Sequence, residues 1–284
     1  MSFNILTSDP VIFTRNPRLP HDELVFSARV PRIASMIQNA DPEVVALQEN
    51  FGDPMPYDLL SSRLPGYTWV KPAEQVSLLV RASRFTVVET GYRDLHRTEE
   101  GFLSWARVRD AITGGDLWLF DVHLRAGRGR AEARIRSAEV VTMRAILARL
   151  NPGNTLPVVV MGDLNTSSTE QRALFRDPVV SLGRDGLVDA ATVAGADASN
   201  VPDADTPHGF EATIGGRTYP KVVRRTGLRF DFIFVPKAWE VRSFAVLTGP
   251  AVTRTVVSGH RVYRWVGIVP SDHSPVVAQV EFPS

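Results

Sequence analysis

The chain is built from short apolar runs, and several of them stop at, or contain, a side chain that could bind a metal ion or move a proton. "VVALQEN" runs from Val44 to Leu47 and then meets Gln48 and Glu49, and "LPVVVMGDLN" runs from Val158 to Met161 before Gly162, Asp163 and Asn165. "WLFDVHL" carries His123 at its end, "FNIL" holds Asn4, "RFDFIFV" holds Asp231, and "PSDHSPVVAQV" puts Asp272 and His273 at the mouth of the last run. Runs rich in Val, Phe and Trp and bounded by Gly, Pro or Asp read as strands. A chain with this many strands must fold around sheets.

Strands are predicted over Ser2–Leu6, Val44–Gln48, Val76–Val80, Phe85–Glu89, Phe102–Arg109, Leu117–His123, Pro157–Met161, Arg229–Val235, Val241–Leu247 and Pro275–Glu281. Helical spacing of apolar residues appears in Val30–Ala40, with Val30, Ile33, Ala34 and Ile37 on one stripe. It appears again in Arg130–Leu150, with Ile135, Ala138, Val141, Thr142 and Ala145. The small, acidic stretch Gly195–Thr206 reads as a loop, because the strands on either side are needed to complete a sheet. The expectation is one domain over residues 1–284, an α+β sandwich of two sheets with helices packed outside.

Composition narrows the chemistry. There is no cysteine, which excludes disulfides, thiolate metal sites and cysteine nucleophiles. Lys plus Arg is 32 against 31 for Asp plus Glu, a net charge of +1, which argues against a broadly basic nucleic-acid binder but leaves room for a local groove. No apolar run approaches the roughly 20 residues of a membrane span, and a monomer is expected. No charged leader precedes an apolar stretch, and "MSFNIL" opens directly as a strand. The location is left open: cytoplasmic for an intact chain, secreted for a trimmed one.

Strand alternation sharpens the polar pattern. Asp231 shares a face with Ile233 and Val235, opposite Phe230, Phe232 and Phe234, and a carboxylate there needs a partner. Asp163 and Asn165 fall on one side, where both could reach one phosphate or one water. Singly, Glu49, Asp163 and Asp272 fit ordinary turn residues, Asn4 a core amide and His123 a satisfied core histidine. Together, without cysteine chemistry, they suit a shared site for a hard, oxygen-preferring cation.

The ordered set "MSFNIL", "DPEVVALQE", "SWARVRD", "FDVHLRAG", "VVVMGDLN", "HGF", "RFDFIFV" and "PSDHSPV" resembles the endonuclease/exonuclease/phosphatase superfamily of metal-dependent phosphoesterases, and within it the bacterial deadenylase-like hydrolases. The resemblance spans nearly the whole chain and implies a four-layer α/β/β/α sandwich of two mixed β-sheets flanked by helices. It implies Mg²⁺, with Mn²⁺ as a substitute, held by Glu49, Asn4 and Asp272. It further implies that Asp163 orients or deprotonates the attacking water and that Asn165 holds it or a phosphate oxygen. His273 would contact the scissile phosphate with Asp231 fixing its tautomer, and His123 would be an acid for the leaving group with Glu74 as its carboxylate partner. Arg107 and His208 are the substrate-contact candidates. The implied activity is hydrolysis of a phosphodiester or phosphomonoester, with nucleic acid among the candidate substrates. A sphingomyelinase-like lipid phosphodiesterase and a non-catalytic binding module on the same fold are the alternatives.

Some segments depart from the pattern or read two ways. Related bacterial members often carry an arginine four residues before the tryptophan of "SWARV", where this chain has Gly101. The signatures of abasic-site endonucleases and inositol polyphosphate 5-phosphatases are absent. Arg125, Arg128, Arg130, Arg134 and Arg136 read equally as a basic rim for a polyanion or as a solvated helix start balanced by Glu132 and Glu139. Lys221, Arg224 and Arg225 pose the same choice. His21, His96 and His260 have no motif around them and read as surface residues.

Overall fold

The alternation read from the sequence decides which way each strand faces in the computed structural model of the chain. The structure describes residues 1–9, 20–95, 101–127, 129–166, 178–194, 204–223, 226–248 and 252–282. His96, Arg128, Arg224, Arg225 and most of the 195–206 loop lie outside the described residues.

Two six-stranded sheets form the centre. The first contains β1 (Ser2–Asn4), β2 (Val44–Gln48), β3 (Tyr67–Val70), β4 (Val76–Arg81), β14 (Glu240–Val246) and β17 (Val276–Glu281), in the order β14-β17-β1-β2-β4-β3. The second contains β5 (Phe85–Asp94), β6 (Phe102–Asp110), β7 (Asp116–His123), β8 (Val158–Asp163), β9 (Leu187–Asp189) and β13 (Asp231–Pro236), in the order β5-β6-β7-β8-β13-β9. Each sheet is mixed: β1 and β2 run parallel, as do β7 and β8, among otherwise antiparallel neighbours. Two smaller sheets flank them. One pairs β10 (Glu211–Ile214) with β11 (Arg217–Pro220), and the other joins β12 (Val222–Val223), β15 (Val252–Val257) and β16 (His260–Trp265).

The layers follow from three apolar cores. Between the sheets, Ala46, Leu78 and Val80 meet Ala106, Leu119, Met161 and Ile233. Outside the first sheet, Val30, Ile33 and Ile37 of the helix Phe26–Ala40 pack on Phe3, Val45 and Leu47. Outside the second, Val140, Met143 and Leu147 of the helix Arg130–Leu150 pack on Trp118, Phe120 and Phe232. The sandwich is therefore four layers deep, as expected.

The ten predicted strands all exist, and the second helix has the predicted limits. Its predicted stripe is wrong, however. The buried residues are Ala133, Arg136, Glu139, Val140, Met143, Ile146 and Leu147, while Val141 is half exposed. Arg136 and Glu139 occupy the N-terminal part of the buried stripe, so the hydrophobic pattern there points to the wrong face.

Candidate active site

The face between the sheets changes character toward one end of the sandwich. In β7 the inward residues run Leu117, Leu119, Asp121 and His123, and in β8 they run Val159, Met161 and Asp163. In β13 they run Val235, Ile233 and Asp231. Register then aligns the polar ends, with His123 beside Asp163 and Asp163 beside Asp231. Gly162 makes this alignment possible, because a Cβ on it would sit 1.9 Å from the Val122 carbonyl oxygen. From the facing sheet, Asn4 and Gln48 arrive paired at the ends of β1 and β2. Glu49 then leaves β2 with a left-handed φ of 59°.

Asp163 Oδ2 is the hub. It accepts Asn4 Nδ2 at 3.1 Å and lies 3.7 Å from His123 Nε2 and 3.8 Å from His273 Nε2. Its other oxygen accepts the Asn165 backbone N–H at 2.8 Å. Burial holds the Asp163 carboxyl above its ordinary range, with Asp231 adding to this and the two histidines opposing it. Asn165 Nδ2 donates to the Leu124 carbonyl at 3.0 Å and to His123 Nε2 at 3.1 Å. His273 Nδ1 is 2.8 Å from Asp231 Oδ2. Burial alone would lower the His273 pKa, but Asp231 and Asp163 hold it well above the ordinary imidazole value. Two carboxylates therefore favour the charged form of His273 against its burial.

The loop ahead of β10 braces this group. Thr206 Oγ1 accepts the N–H groups of Phe230 and Asp231 at 2.9 and 3.3 Å, and the Ser274 N–H donates to the Thr206 carbonyl at 2.8 Å. The N–H groups of His208 and Gly209 both donate to the Asp272 carbonyl. A second brace is Arg29, fully buried on the helix Phe26–Ala40. Its five N–H donors reach the carbonyls of Leu24, Ile5, Pro270, Leu6 and Thr7 at 2.7–3.1 Å. Arg29 thus ties the segment after Asn4 to the segment before Asp272. Burial pulls its pKa to about 10, opposed by Asp272 and Glu49, so it stays charged. The sequence does carry a signal for it: Phe26, Arg29, Val30 and Ile33 share one apolar stripe, and a charge on such a stripe needs a built site.

Four of the expected site residues have surroundings other than their expected roles describe. Asn4 bridges Glu49 Oε1 (3.0 Å) and Asp163 through its Nδ2, while its Oδ1 accepts the Leu6 N–H, so in this structure it tethers two carboxylates. Arg107 lies away from the site: it is level with Trp118, five residues along β7 from His123, and bonds Asp116 at 3.0 Å. His208 is fully buried, with burial lowering its pKa to about 4, so it backs Asp272 instead of meeting substrate. Glu74 sits in the turn before β4 and makes no bond to His123, whose Nδ1 is buried and has no hydrogen-bond partner among the described residues.

Two residues of the basic segments are engaged inside the fold: Arg136 is buried and donates to the Arg125 and Gly127 carbonyls, and Lys221 pairs with Glu23. At Gly101, an added Cβ would lie 2.2 Å from a Glu139 carboxylate oxygen, so Glu139 fills the space of the missing side chain.

The donor set suits a hard divalent ion. Burial raises the Asp272 pKa, and the nearby Glu49 raises it further, against His273, His208 and Arg29. Two carboxylates that repel each other in a buried site call for a cation. Among the described residues, Asp163, Asp231 and His273 also bring ligand atoms within 4.8 Å of one another. There the His273–Asp231 hydrogen bond already accounts for the closeness.

Residues 1–273 match the sequence profile of the Endonuclease/Exonuclease/phosphatase family. None of the curated proteins matches the chain. Among solved structures, a mannosyl-6-phosphatase of Bacteroides thetaiotaomicron superposes with a TM-score of 0.71 at 20% identity, covering 99% of this chain and 98% of that one. D. rerio TDP2 complexed with single strand DNA product gives 0.62 at 18% identity, covering 99% and 97%. The human Nocturnin catalytic domain with bound sulfate anion gives 0.62 at 21% identity, covering 99% and 92%. At these identities the likeness concerns the fold.

Proposed function

The chain belongs to the endonuclease/exonuclease/phosphatase family, and on that premise we propose that it is a divalent-metal-dependent hydrolase of phosphate esters. The observation that carries this reading is the convergence of Asn4, His123 and His273 on Asp163 Oδ2. An Mg²⁺ or Mn²⁺ ion held by Glu49 and Asp272 would neutralise the charge that builds on the phosphate. Asp163, kept ionised by the two histidines, made more basic by burial and Asp231, and fixed by Asn4 and the Asn165 N–H, takes the proton of the attacking water. His273 presents a cationic Nε2–H to a phosphoryl oxygen while Asp231 holds its Nδ1. His123, on the other side of Asp163, serves the leaving oxygen, and Asn165 fixes its ring.

The test is turnover of bis-p-nitrophenyl phosphate with Mg²⁺ or Mn²⁺. EDTA and His273→Ala are each expected to abolish it, and metal-independent turnover overturns the reading. For the substrate, the printed names of the similar structures suggest a panel of sugar 6-phosphates and single-stranded DNA, to which RNA, nucleotides, inositol phosphates and sphingomyelin are added. The substrate with the highest kcat/KM decides between monoester and diester. A protein that neither binds Mg²⁺ by calorimetry nor turns over any of these is a binding module.

A further inference from the structure

We propose that the partner of the His123 imidazole is Asp121 acting with Ser104, in place of Glu74. This rests on the reading of His123 as the residue that serves the leaving group.

The argument begins with the tautomer. One Asn165 Nδ2 hydrogen goes to the Leu124 carbonyl, which fixes the amide orientation, and the other points at His123 Nε2. In the neutral ring Nε2 therefore accepts, and the proton sits on Nδ1; this is the form left after the imidazolium has given its Nε2 proton to the leaving oxygen while the Nδ1 proton stays on its acceptor. That donor is buried and has no partner among the described residues. Buried donors are almost always paired, so an acceptor is required.

Two buried oxygens stand on the same face and, among the described residues, make no hydrogen bond of ordinary geometry: Ser104 Oγ and Asp121 Oδ2. The backbone N–H groups of Ser77, Leu47 and Val122 lie near the Asp121 carboxyl, but burial outweighs them and leaves it short of donors. Asp121 is two residues before His123 on β7, and Ser104 lies directly across from Asp121 on β6, diagonal to His123. Directly opposed side chains on a sheet face are about 5 Å apart at Cβ and diagonal ones about 7–8 Å. A hydroxyl, or one buried water, spans such gaps. The three atoms also complement one another. Nδ1–H can give to Ser104 Oγ, whose own hydrogen can go on to Asp121 Oδ2.

The far side of Asp121 strengthens the case. Its Oδ1 accepts Gln48 Nε2 at 2.6 Å, and Gln48 immediately precedes Glu49. The pair therefore links the ring that serves the leaving group to the strand that carries the metal-binding carboxylate. Ser104, Asp121 and Gln48 are all fully buried, so this frame works from inside the core.

Asp121→Asn is the informative change. Gln48 Nε2 needs an acceptor, so the asparagine oxygen must stay on Gln48 and its NH₂ must face Ser104 and His123. The expected result is a shift of the His123 ring from the Nδ1–H toward the Nε2–H form, read by ¹⁵N NMR of the imidazoles and assigned against a His123→Gln spectrum. On phosphodiesters with alkyl leaving groups, kcat should fall by about 10- to 100-fold with KM unchanged. On bis-p-nitrophenyl phosphate, whose leaving group needs little protonation, the fall should be far smaller. Ser104→Ala, a small deletion, should give the same leaving-group dependence and keeps the test valid if Asp121→Asn fails to fold. A folded Asp121→Asn with the wild-type tautomer and leaving-group dependence overturns the proposal, as does finding both changes in Glu74→Gln instead. The tautomer measurement needs no turnover. An inactive wild type would sink the proposed function while leaving the partner of His123 still decided by NMR.

Discussion

His273 is the residue whose environment makes the firmest statement about pH. Burial works against its charge, yet Asp231 at 2.8 Å and Asp163 at 3.8 Å hold its pKa well above the ordinary value. With the pKa raised in the folded state, the stability from this charge is fully present below the unfolded value of roughly 6.5. It is lost as pH rises through the folded pKa. Asp231→Asn removes the largest contribution that raises the pKa. The His273 titration, followed by NMR, should move to lower pH, and the basic limb of kcat/KM should move with it. An unmoved limb would mean that His273 is not the group titrating there. Residues of this kind were legible in the sequence because ionisable groups at the ends of apolar strands are conspicuous. Their partners were less so. Asp231 on the Ile233–Val235 face was readable from alternation, but Asn4 presenting its NH₂ rather than its oxygen depends on which neighbour takes each end of the amide.

At the scale of elements, the helix Phe26–Ala40 does more than cover a sheet. Arg29 on its buried stripe holds five backbone carbonyls on both sides of the site. A lysine offers three donors, so Arg29→Lys leaves at least two of those carbonyls unpaired. Each such buried group costs about 1–3 kcal/mol. Arg29→Lys should therefore destabilise the protein by about 2–6 kcal/mol, measured by urea denaturation, while keeping the charge. A loss under about 0.5 kcal/mol, the scale of an ordinary surface change, would show that the carbonyl cage does not brace the site. The strands at the centre were readable from composition and period alone. Several of the shorter ones, among them β3, β9, β15 and β16, were not, since Tyr67–Val70 is brief and the β15–β16 hairpin carries Arg and Val on both faces. The long second helix was placed correctly but turned the wrong way, because Arg136 and Glu139 are polar residues on its buried side.

At the scale of the whole molecule, the seam between the sheets is apolar along most of its length and ionic at one end, and that end holds the least favourable charges. Burial and the neighbouring Glu49 both raise the Asp272 pKa. A carboxylate whose pKa is raised on folding destabilises the native state once pH passes between its unfolded and folded values. Without a metal ion, then, Asp272 weakens the fold at neutral pH, and Asp272→Asn, nearly the same shape without the charge, should strengthen it. In EDTA the substitution should raise Tm by a few degrees, since each kcal/mol moves a chain of this size by about 2–4 °C. With Mg²⁺ the order should reverse. An ion at 100 times its Kd stabilises the wild type by about 2.7 kcal/mol, and the variant, short of one ligand, should gain little. A crossing of the two melting curves on adding Mg²⁺ is the expected outcome. A variant less stable than wild type in EDTA would mean that Asp272 holds the fold together, and would remove it from the metal site proposed here.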